Sequence, residues 1–408
     1  MTALDPISAT LDAYVELGEI AGAATLVWRG GKVLQTGCVG WRDLEARLPL
    51  ERDTPFRIAS MSKPVTSLLA MMLVEEGRIG LDEPISRWAP EFEQMHVLRK
   101  ADGPLDETDL ADRQITFDDL LTHRSGLTYA GVLSGPLSDA YQQALGGDID
   151  SHVAPDDWIA GLAALPLIAQ PGASFNYSNS TDLLGLLLAR IEGAPLEEVL
   201  RRRIFDPLGM KDTGFDAPHD RRAGVYGFDS AGKLMLRTTG PQNSFLAERP
   251  KSMSFVSGGQ GLWSTLDDYL AFARLFVGGG EVDGVRLLKP ETLAQMTANQ
   301  LTDDQRARAE MLGMPVFTAH GFGRGLAVVM DPENAAVTRC KGGVDTVGWP
   351  GAYGGWWQAD PTDGSVMIFL AHNLFELEQL EMGIGLGVYG AIVEFHGLAT
   401  KLKAESAA

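Results

Sequence analysis

The sequence predicts an α/β fold of the α+β kind, with one sheet built from both ends of the chain and a helical domain inserted between them. Three observations predict it. Apolar, β-branched runs flank Gly30-Gly31 in "GAATLVWRGGKVLQTGCVGWRD". Strand signals return late in the chain, in "GFGRGLAVVM", "GGWWQADP" and "SVMIFLAHN". Between them, helical periods dominate in "FDDLLTH", "PDDWIAGLAAL", "STDLLGLLLARIEG" and "LEEVLRRRIFDPLGM". The expected division is a discontinuous sheet domain over about 1–82 and 222–408 and a helical domain over about 83–221.

Residues 5–18 read as a helix, and Gly30-Gly31 marks a hairpin. A helix from about 62 to 76 follows, with Val65, Leu68, Leu69, Met71, Met72, Leu73 and Val74 on nearly every face. A helix apolar all round belongs in a core. The stretch 128–155 is a long excursion of the type that walls or covers a cleft, and 240–256 is read the same way. A last helix is expected around 382–395.

The totals narrow the function. With 408 residues, two domains are the natural expectation, and 45% apolar with 22% charged content is that of a soluble globular protein. A formal charge of −20 opposes nucleic-acid and anionic-membrane partners, because the phosphate term is repulsive. Cys38 and Cys340 are too few for a disulfide framework and read as small buried side chains. The first 22 residues lack a basic and then apolar leader, and no run nears the ~18 apolar residues of a membrane span, so a cytoplasmic protein is expected. The histidines show no metal-binding spacing, so neither metal nor cofactor is expected.

The chemistry begins at "FRIASMSKPVTSLLAMMLVEEG". Ser60 and Lys63 are three apart at a helix start, so their side chains share a face. A lysine there sits at the positive end of the helix dipole, and burial also disfavours the ammonium form. Such an amine becomes a proton acceptor, and the adjacent hydroxyl a usable nucleophile. The plainer alternative is a capping serine with a lysine that reaches water. In "GASFNYSNSTDLLGLL", Tyr177 and Asn179 stand in a short loop before a helix. They read either as a turn with an N-cap or as a pair delivered to a cleft, Tyr177 passing a proton and Asn179 holding Lys63 and the substrate. In "VGWPGAYGGWWQAD", Trp349, Gly351 and Ala352 stand beside a strongly apolar strand, and the glycine lets a ligand approach the backbone.

Together these segments resemble the serine β-lactamase and penicillin-binding-protein superfamily, and within it the class C-like branch that includes family VIII carboxylesterases. Ser60-Met61-Ser62-Lys63 matches Ser-x-x-Lys, Tyr177-Ser178-Asn179 matches Tyr-x-Asn, and Trp349-Pro350-Gly351 matches the esterases' Trp-x-Gly. "LLTHRSGL" and "GGQGLWST" are further family-like segments. Three motifs in order are far more specific than one. The resemblance implies a β-lactamase/transpeptidase-like fold, with an antiparallel sheet flanked by helices and the site between sheet and helical parts. It implies Ser60, Lys63 and Tyr177 as catalytic residues and the Ser60 and Ala352 N–H groups as an oxyanion hole. Asn179, Trp349, Gly351 and Met61 are the expected substrate contacts. Where β-lactamases place a lysine for the drug's carboxylate, this chain has Trp349, an apolar wall suited to neutral esters. Pro350 is expected on an edge strand, where it removes a donor on the cleft side and no sheet bond.

The expected activity is therefore hydrolysis of short-chain acyl esters through an acyl-enzyme on Ser60, with a small-molecule ester as partner and a weak β-lactamase side activity. A β-lactamase, a D-Ala-type peptidase or an acyltransferase with the same residues are the alternatives. His123 in "LLTHRSGL" is read as structural, "GGQGLWST" as a tight turn, and at most one of Trp356 and Trp357 as site-facing.

Overall fold

Eight strands join in one sheet in the computed structural model, which describes residues 5–132, 135–240, 245–311, 314–338, 342–374, 379 and 382–405. The first part of the chain supplies β1 (Gly22–Arg29), β2 (Lys32–Asp43) and β3 (Leu48–Pro49). Two short strands, β4 (Phe56–Arg57) and β5 (Trp263–Ser264), pair with each other apart from this sheet. The last part supplies β6 (His320–Phe322), β7 (Ala327–Val329), β8 (Val347–Pro350), β9 (Trp356–Asp360) and β10 (Ser365–Ala371). The order is β6-β7-β8-β9-β10-β1-β2-β3, every pair antiparallel. β1 lies directly against β10, Ala23 opposite Ala371 and Arg29 opposite Ser365, so the two ends of the chain close the sheet as the sequence predicts.

Both faces of the sheet are covered, which is why β1 is buried almost throughout. Ala23 and Val27 point to one face, against Ile7 and Leu11 of α1 (Pro6–Glu16) and Ile392 and Phe395 of the C-terminal helix. Ala24 and Leu26 point to the other, with Val65, Leu69 and Met71 of α2 (Ser62–Glu75) and residues of a later helix over Leu266–Ala273. Asp5 starts α1 by accepting from the Ile7 and Ser8 N–H groups. The C-terminal helix runs over Leu386–Glu405, about ten residues beyond the expected end. Gly397 does not stop it, because Phe395 and Ala399 pack into the terminal core.

α2 matches its predicted span and explains the rest. It leaves at Gly77 (φ +68°) with a paired turn, Gly77 N–H to Val74 O and Arg78 N–H to Leu73 O. Its core is continuous, running from Leu26 and Ile368 of the sheet through Leu68 and Leu69 to Leu183 and Leu187 of α3 (Ser180–Glu192). Gly185 and Gly258 let α3 approach the 257–261 turn closely, since a Cβ on Gly185 would lie 3.2 Å from Gly258 Cα. The expected boundaries near 82 and 221 fall in connecting segments, while the hydrophobic core crosses between the two parts through α2.

β8 is not an edge strand: Val347 and Gly348 pair with β7 on one side and β9 on the other. β7 is short, so Trp349 and Pro350 pair only with β9, and the proline removes a donor on the open side. Trp356 faces the terminal helix beside His396, and Trp357 faces Tyr269, Phe272 and Phe276, so neither lines a cleft. Cys38 is half-buried and its thiol is pushed up to about 11, chiefly by burial; Cys340 lies outside the described residues. No helix among the described residues is long and apolar enough to cross a membrane.

His372, just after β10, is buried between Phe56 (5.6 Å) and Tyr226 (5.5 Å), and burial lowers its ring to about 4. An unfolded histidine takes its proton near 6.5, so the unfolded chain is protonated first as pH falls. Stability from this group is complete above that pH and drains away toward pH 4. Denaturant titrations at pH 7.5 and 5.0 are expected to differ by about 2 kcal/mol on its account, a difference that His372→Phe removes.

Candidate active site

Ser60 stands on a single tight turn, Ala59–Met61, between β4 and α2. β4 is stitched to β5, Phe56 opposite Ser264 and Arg57 opposite Trp263, and Ile58 N–H donates to Leu262 O (3.0 Å). Ala59 is held at φ +44°, a left-handed conformation that costs an alanine about 1 kcal/mol or more and that persists only under surrounding constraint. The turn brings Ser60 Oγ to 2.7 Å from Tyr177 Oη and 3.3 Å from Lys63 Nζ. Neither serine caps α2: Ser62 Oγ accepts instead from Leu262 N–H (3.1 Å), fixing the helix start to the 258–265 segment.

Lys63 is fully buried. Its Nζ donates to Ser60 Oγ, Tyr129 Oη (3.1 Å) and Gly259 O (3.1 Å), three acceptors for the three N–H bonds of an ammonium group. The Tyr177 ring centroid lies 4.6 Å from it. Behind these partners stands Asp182, in the first turn of α3, where the helix dipole favours an anion. Asp182 accepts from Tyr129 Oη (3.2 Å), Gly259 N–H (3.0 Å) and Ser257 Oγ. Burial raises its carboxyl, against the pull of Lys63 and these hydrogen bonds. Burial and the Asp182 charge raise the Tyr129 phenol well above its ordinary value, so Tyr129 keeps its proton and remains a donor. The "GGQGLWST" segment is the tight turn expected, but it is also a partner of Lys63.

Tyr177 accepts from Trp349 Nε1 (3.2 Å), so a single chain of hydrogen bonds runs from the indole through the phenol to the serine. Around the two rings lie Phe175, Phe317 and Phe322, an aromatic wall on one side of the site. His123 forms part of its base, ring centroid 4.9 Å from Tyr177, with its Nδ1 3.2 Å from Ser178 Oγ. It is fully buried, and desolvation with Lys63 nearby lowers it well below the usual imidazole range. Its backbone is left-handed (φ +52°), and its carbonyl receives Asn176 N–H (2.7 Å), anchoring the Tyr177 loop. Ser178, Ser180 and Ser125 continue the anchor through contacts of 2.8 and 2.7 Å.

Gly351 lies against the nucleophile's own segment, since a Cβ there would sit 2.5 Å from Ile58 O. Its N–H is used by Gly355 O (2.8 Å). The N–H groups of Ser60 and Ala352 have no hydrogen-bond partner among the described residues, and Ala352 is exposed. Two expected substrate contacts are placed differently. Met61 is fully buried, its sulfur 2.8 Å from where a Gly355 Cβ would be, so it supports the Gly351–Gly355 turn from beneath. Adjacency to a nucleophile on a helical turn sends the next side chain to another face. Asn179 makes no hydrogen bond to Lys63 within the described residues; its Nδ2 turns to Asp182 Oδ2 (3.5 Å) and its buried Oδ1 has no partner there. Tyr129 takes the place expected of it. Asp182 was within reach of the sequence, as an acid in a first helical turn three residues after Asn179, whereas Tyr129 carries no local signal. No group of three or more His, Cys, Asp or Glu that could hold a metal ion is present among the described residues.

A serine with a lysine three residues on and a tyrosine from a separate loop, set beside an antiparallel sheet closed by both chain ends, defines a serine hydrolase of β-lactamase/transpeptidase-like architecture. The family model described as Beta-lactamase matches residues 7–383. The chain belongs to the β-lactamase family. It is 45% identical to Protein Rv1367c of Mycobacterium tuberculosis (strain ATCC 25618 / H37Rv) over 92% of this chain and 91% of that protein. It is 31% identical to Esterase EstB of Burkholderia gladioli, over 91% and 90%. Among solved structures it is similar to "EstCE1, a hydrolase with promiscuous acyltransferase activity", with a TM-score of 0.75 and 28% identity over 95% of this chain and 97% of that one.

Removal of the Tyr129 hydroxyl strips Lys63 and Asp182 of their shared partner while leaving Ser60 and Tyr177 in place. Tyr129→Phe is expected to slow labelling of Ser60 by a serine-reactive phosphonate about 10–100-fold with the melting temperature lowered by only a few degrees. Unchanged labelling would detach Tyr129 from the reactivity of the serine.

Proposed function

We propose that this chain is a carboxylesterase that hydrolyses neutral, short-chain acyl esters through an acyl-enzyme on Ser60. The observation that carries the reading is the chain Trp349 Nε1–Tyr177 Oη–Ser60 Oγ, at 3.2 and 2.7 Å, with Lys63 Nζ 3.3 Å from the same oxygen. Tyr177, as the phenolate, takes the hydroxyl proton as Ser60 Oγ attacks the ester carbonyl, with the Lys63 ammonium donating to the same serine oxygen. The indole N–H stabilises the negative charge that the Tyr177 oxygen carries before it takes the proton. The Ser60 and Ala352 N–H groups receive the oxyanion, a role in which one lost donor typically costs about 3 kcal/mol of barrier. The tetrahedral intermediate then expels the alcohol, which takes the proton back from Tyr177, and water repeats the sequence on the acyl-enzyme.

Trp349 also supports the choice of substrate. In the family's β-lactamases this place offers a lysine to a carboxylate, whereas here the side chain is an indole within an aromatic cluster. An anionic drug finds no matching charge there, and an alkyl or aryl ester finds an apolar wall. Acyl transfer is the second reading. It is favoured by the likeness to EstCE1, a hydrolase with promiscuous acyltransferase activity, and it uses the same acyl-enzyme with an alcohol in place of water.

On exposure to a phosphonate, mass spectrometry is expected to place a single adduct on Ser60. Ser60→Ala is expected to abolish turnover of p-nitrophenyl butyrate while the protein still melts cooperatively. An adduct elsewhere would overturn the roles given to all three residues. Set beside a chromogenic cephalosporin, short-chain p-nitrophenyl esters are expected to show the higher kcat/KM, and the reverse order would favour the β-lactamase reading. Added methanol separates the two acyl acceptors, since transfer yields methyl ester at the expense of free acid.

A further inference from the structure

The two long excursions, 128–155 and 240–256, meet at a buried carboxylate that the chemistry above does not use. Asp150 accepts from Arg57 (3.3 Å), from Arg249 (3.3 Å) and from the Leu246 N–H (2.9 Å). The two arginines also donate to backbone carbonyls, Arg57 to Leu246 O and Arg249 to Met253 O and Phe255 O. Both excursions are thereby fastened to Arg57, which lies on β4 three residues before the nucleophile.

A buried ion network is a poor source of stability, because desolvation offsets much of the attraction between its charges. The position of this one gives it another use. Ile149 and Phe245, the residues just before Asp150 and Leu246, are buried in one apolar cluster with Ala59 and Tyr353. The Phe245 and Tyr353 rings stand 5.8 Å apart at 87°, and the Arg57 guanidinium lies 5.2 Å from the same Phe245 ring. Ala59 precedes Ser60 and Tyr353 follows Ala352. The cluster therefore holds a chain neighbour of each N–H group assigned above to the oxyanion.

Those two groups belong to separate turns. No hydrogen bond among the described residues joins the 59–61 turn to the 351–355 turn. Packing sets their separation: Gly351 against the Ile58 carbonyl, Met61 beneath Gly355, and Ala59 with Tyr353 in the cluster. Ala59 is also held left-handed, a conformation that persists only where its surroundings leave no alternative.

We propose that Asp150 is a positioning residue for the oxyanion hole. By fastening Ile149 and Phe245 to Arg57, it holds Ala59 and Tyr353 in place, and with them the Ser60 and Ala352 N–H groups. A small displacement there weakens the hydrogen bonds to the developing anion. The proposal rests on the oxyanion role given to those two N–H groups, and not on the choice of an ester as substrate.

The test exchanges oxygen for sulfur at the atom the hole receives. Sulfur is larger and a weaker acceptor, so well-placed donors favour the oxygen compound. Labelling of Ser60 by an ethyl p-nitrophenyl alkylphosphonate and by its P=S counterpart is followed through p-nitrophenol release and adduct mass. Asp150→Asn is expected to lower the oxygen-to-sulfur rate ratio about tenfold relative to the unmutated protein. Arg249→Met, a milder loss at the same carboxylate, and Ile149→Ala, which thins the cluster without unpairing a charge, are each expected to lower it about threefold. Asp360→Asn is the control, since Asp360 is a buried acid of the β9–β10 hairpin that accepts from Gly343 N–H and Thr362. It is expected to lower the melting temperature and leave the ratio unchanged. An unchanged ratio in Asp150→Asn, or in Arg249→Met where Asp150→Asn does not fold, would overturn the positioning role, as would an equal fall in the control. In parallel, Asp150→Asn is expected to lose kcat for p-nitrophenyl butyrate with little change in KM. If the ratio falls while the unmutated protein turns over no ester, the ester reading fails and the positioning role holds. If esters are turned over and the ratio does not move, the positioning role fails and the ester reading holds.

Discussion

A fully buried lysine is the constraint around which this molecule is arranged. Taking an amine out of water is costly unless acceptors replace the lost hydration. Here a serine, a tyrosine and a backbone carbonyl do so, and they come from three separate parts of the chain. The carbonyl belongs to a glycine because Asp182 must approach that backbone so closely that a Cβ would stand 2.9 Å from its oxygen. The carboxylate in turn sits at the start of a helix, where the dipole helps an anion, while the lysine sits at the start of another, where the dipole opposes a cation. The network that holds the amine therefore also fixes α2, α3 and the 257–261 turn relative to one another.

Local backbone strain falls where this network meets the substrate face. Ala59 and His123 both adopt left-handed conformations, one just before the serine and the other beneath the tyrosine. Each is buried and packed, and each lies beside a side chain whose oxygen takes part in the 2.7 Å contact. Such conformations persist where packing over-determines them. The short connection between nucleophile and phenol is accordingly set by two rigid turns, not by flexible side chains that happen to meet.

Much of this was legible in the residues. α2 could be read from its all-round apolar face, the sheet from β-branched runs at both ends, and Ser60, Lys63 and Tyr177 from three motifs in order. What escaped the sequence was tertiary. Tyr129 lies in a loop with no local pattern, and only folding shows that its hydroxyl joins Lys63 to Asp182. Met61 was misplaced because adjacency along a helical turn does not imply a shared face. Pro350 was assigned to an edge, whereas β8 is internal and becomes one-sided only where β7 stops. Asn179 matched its motif, yet the lysine found a tyrosine before it found the amide. In each case the residue type was informative and the partner was not.

The unbroken apolar interior that passes through α2 has a mechanical meaning. Sheet and helices share one hydrophobic core, so moving one against the other would bare the apolar side chains of α2 to water. Adjustment at the serine is then cheaper in the loops than in the elements beneath them. Changes in what this catalyst accepts should then come from altering the length and side chains of those loops, while the machinery beneath stays still.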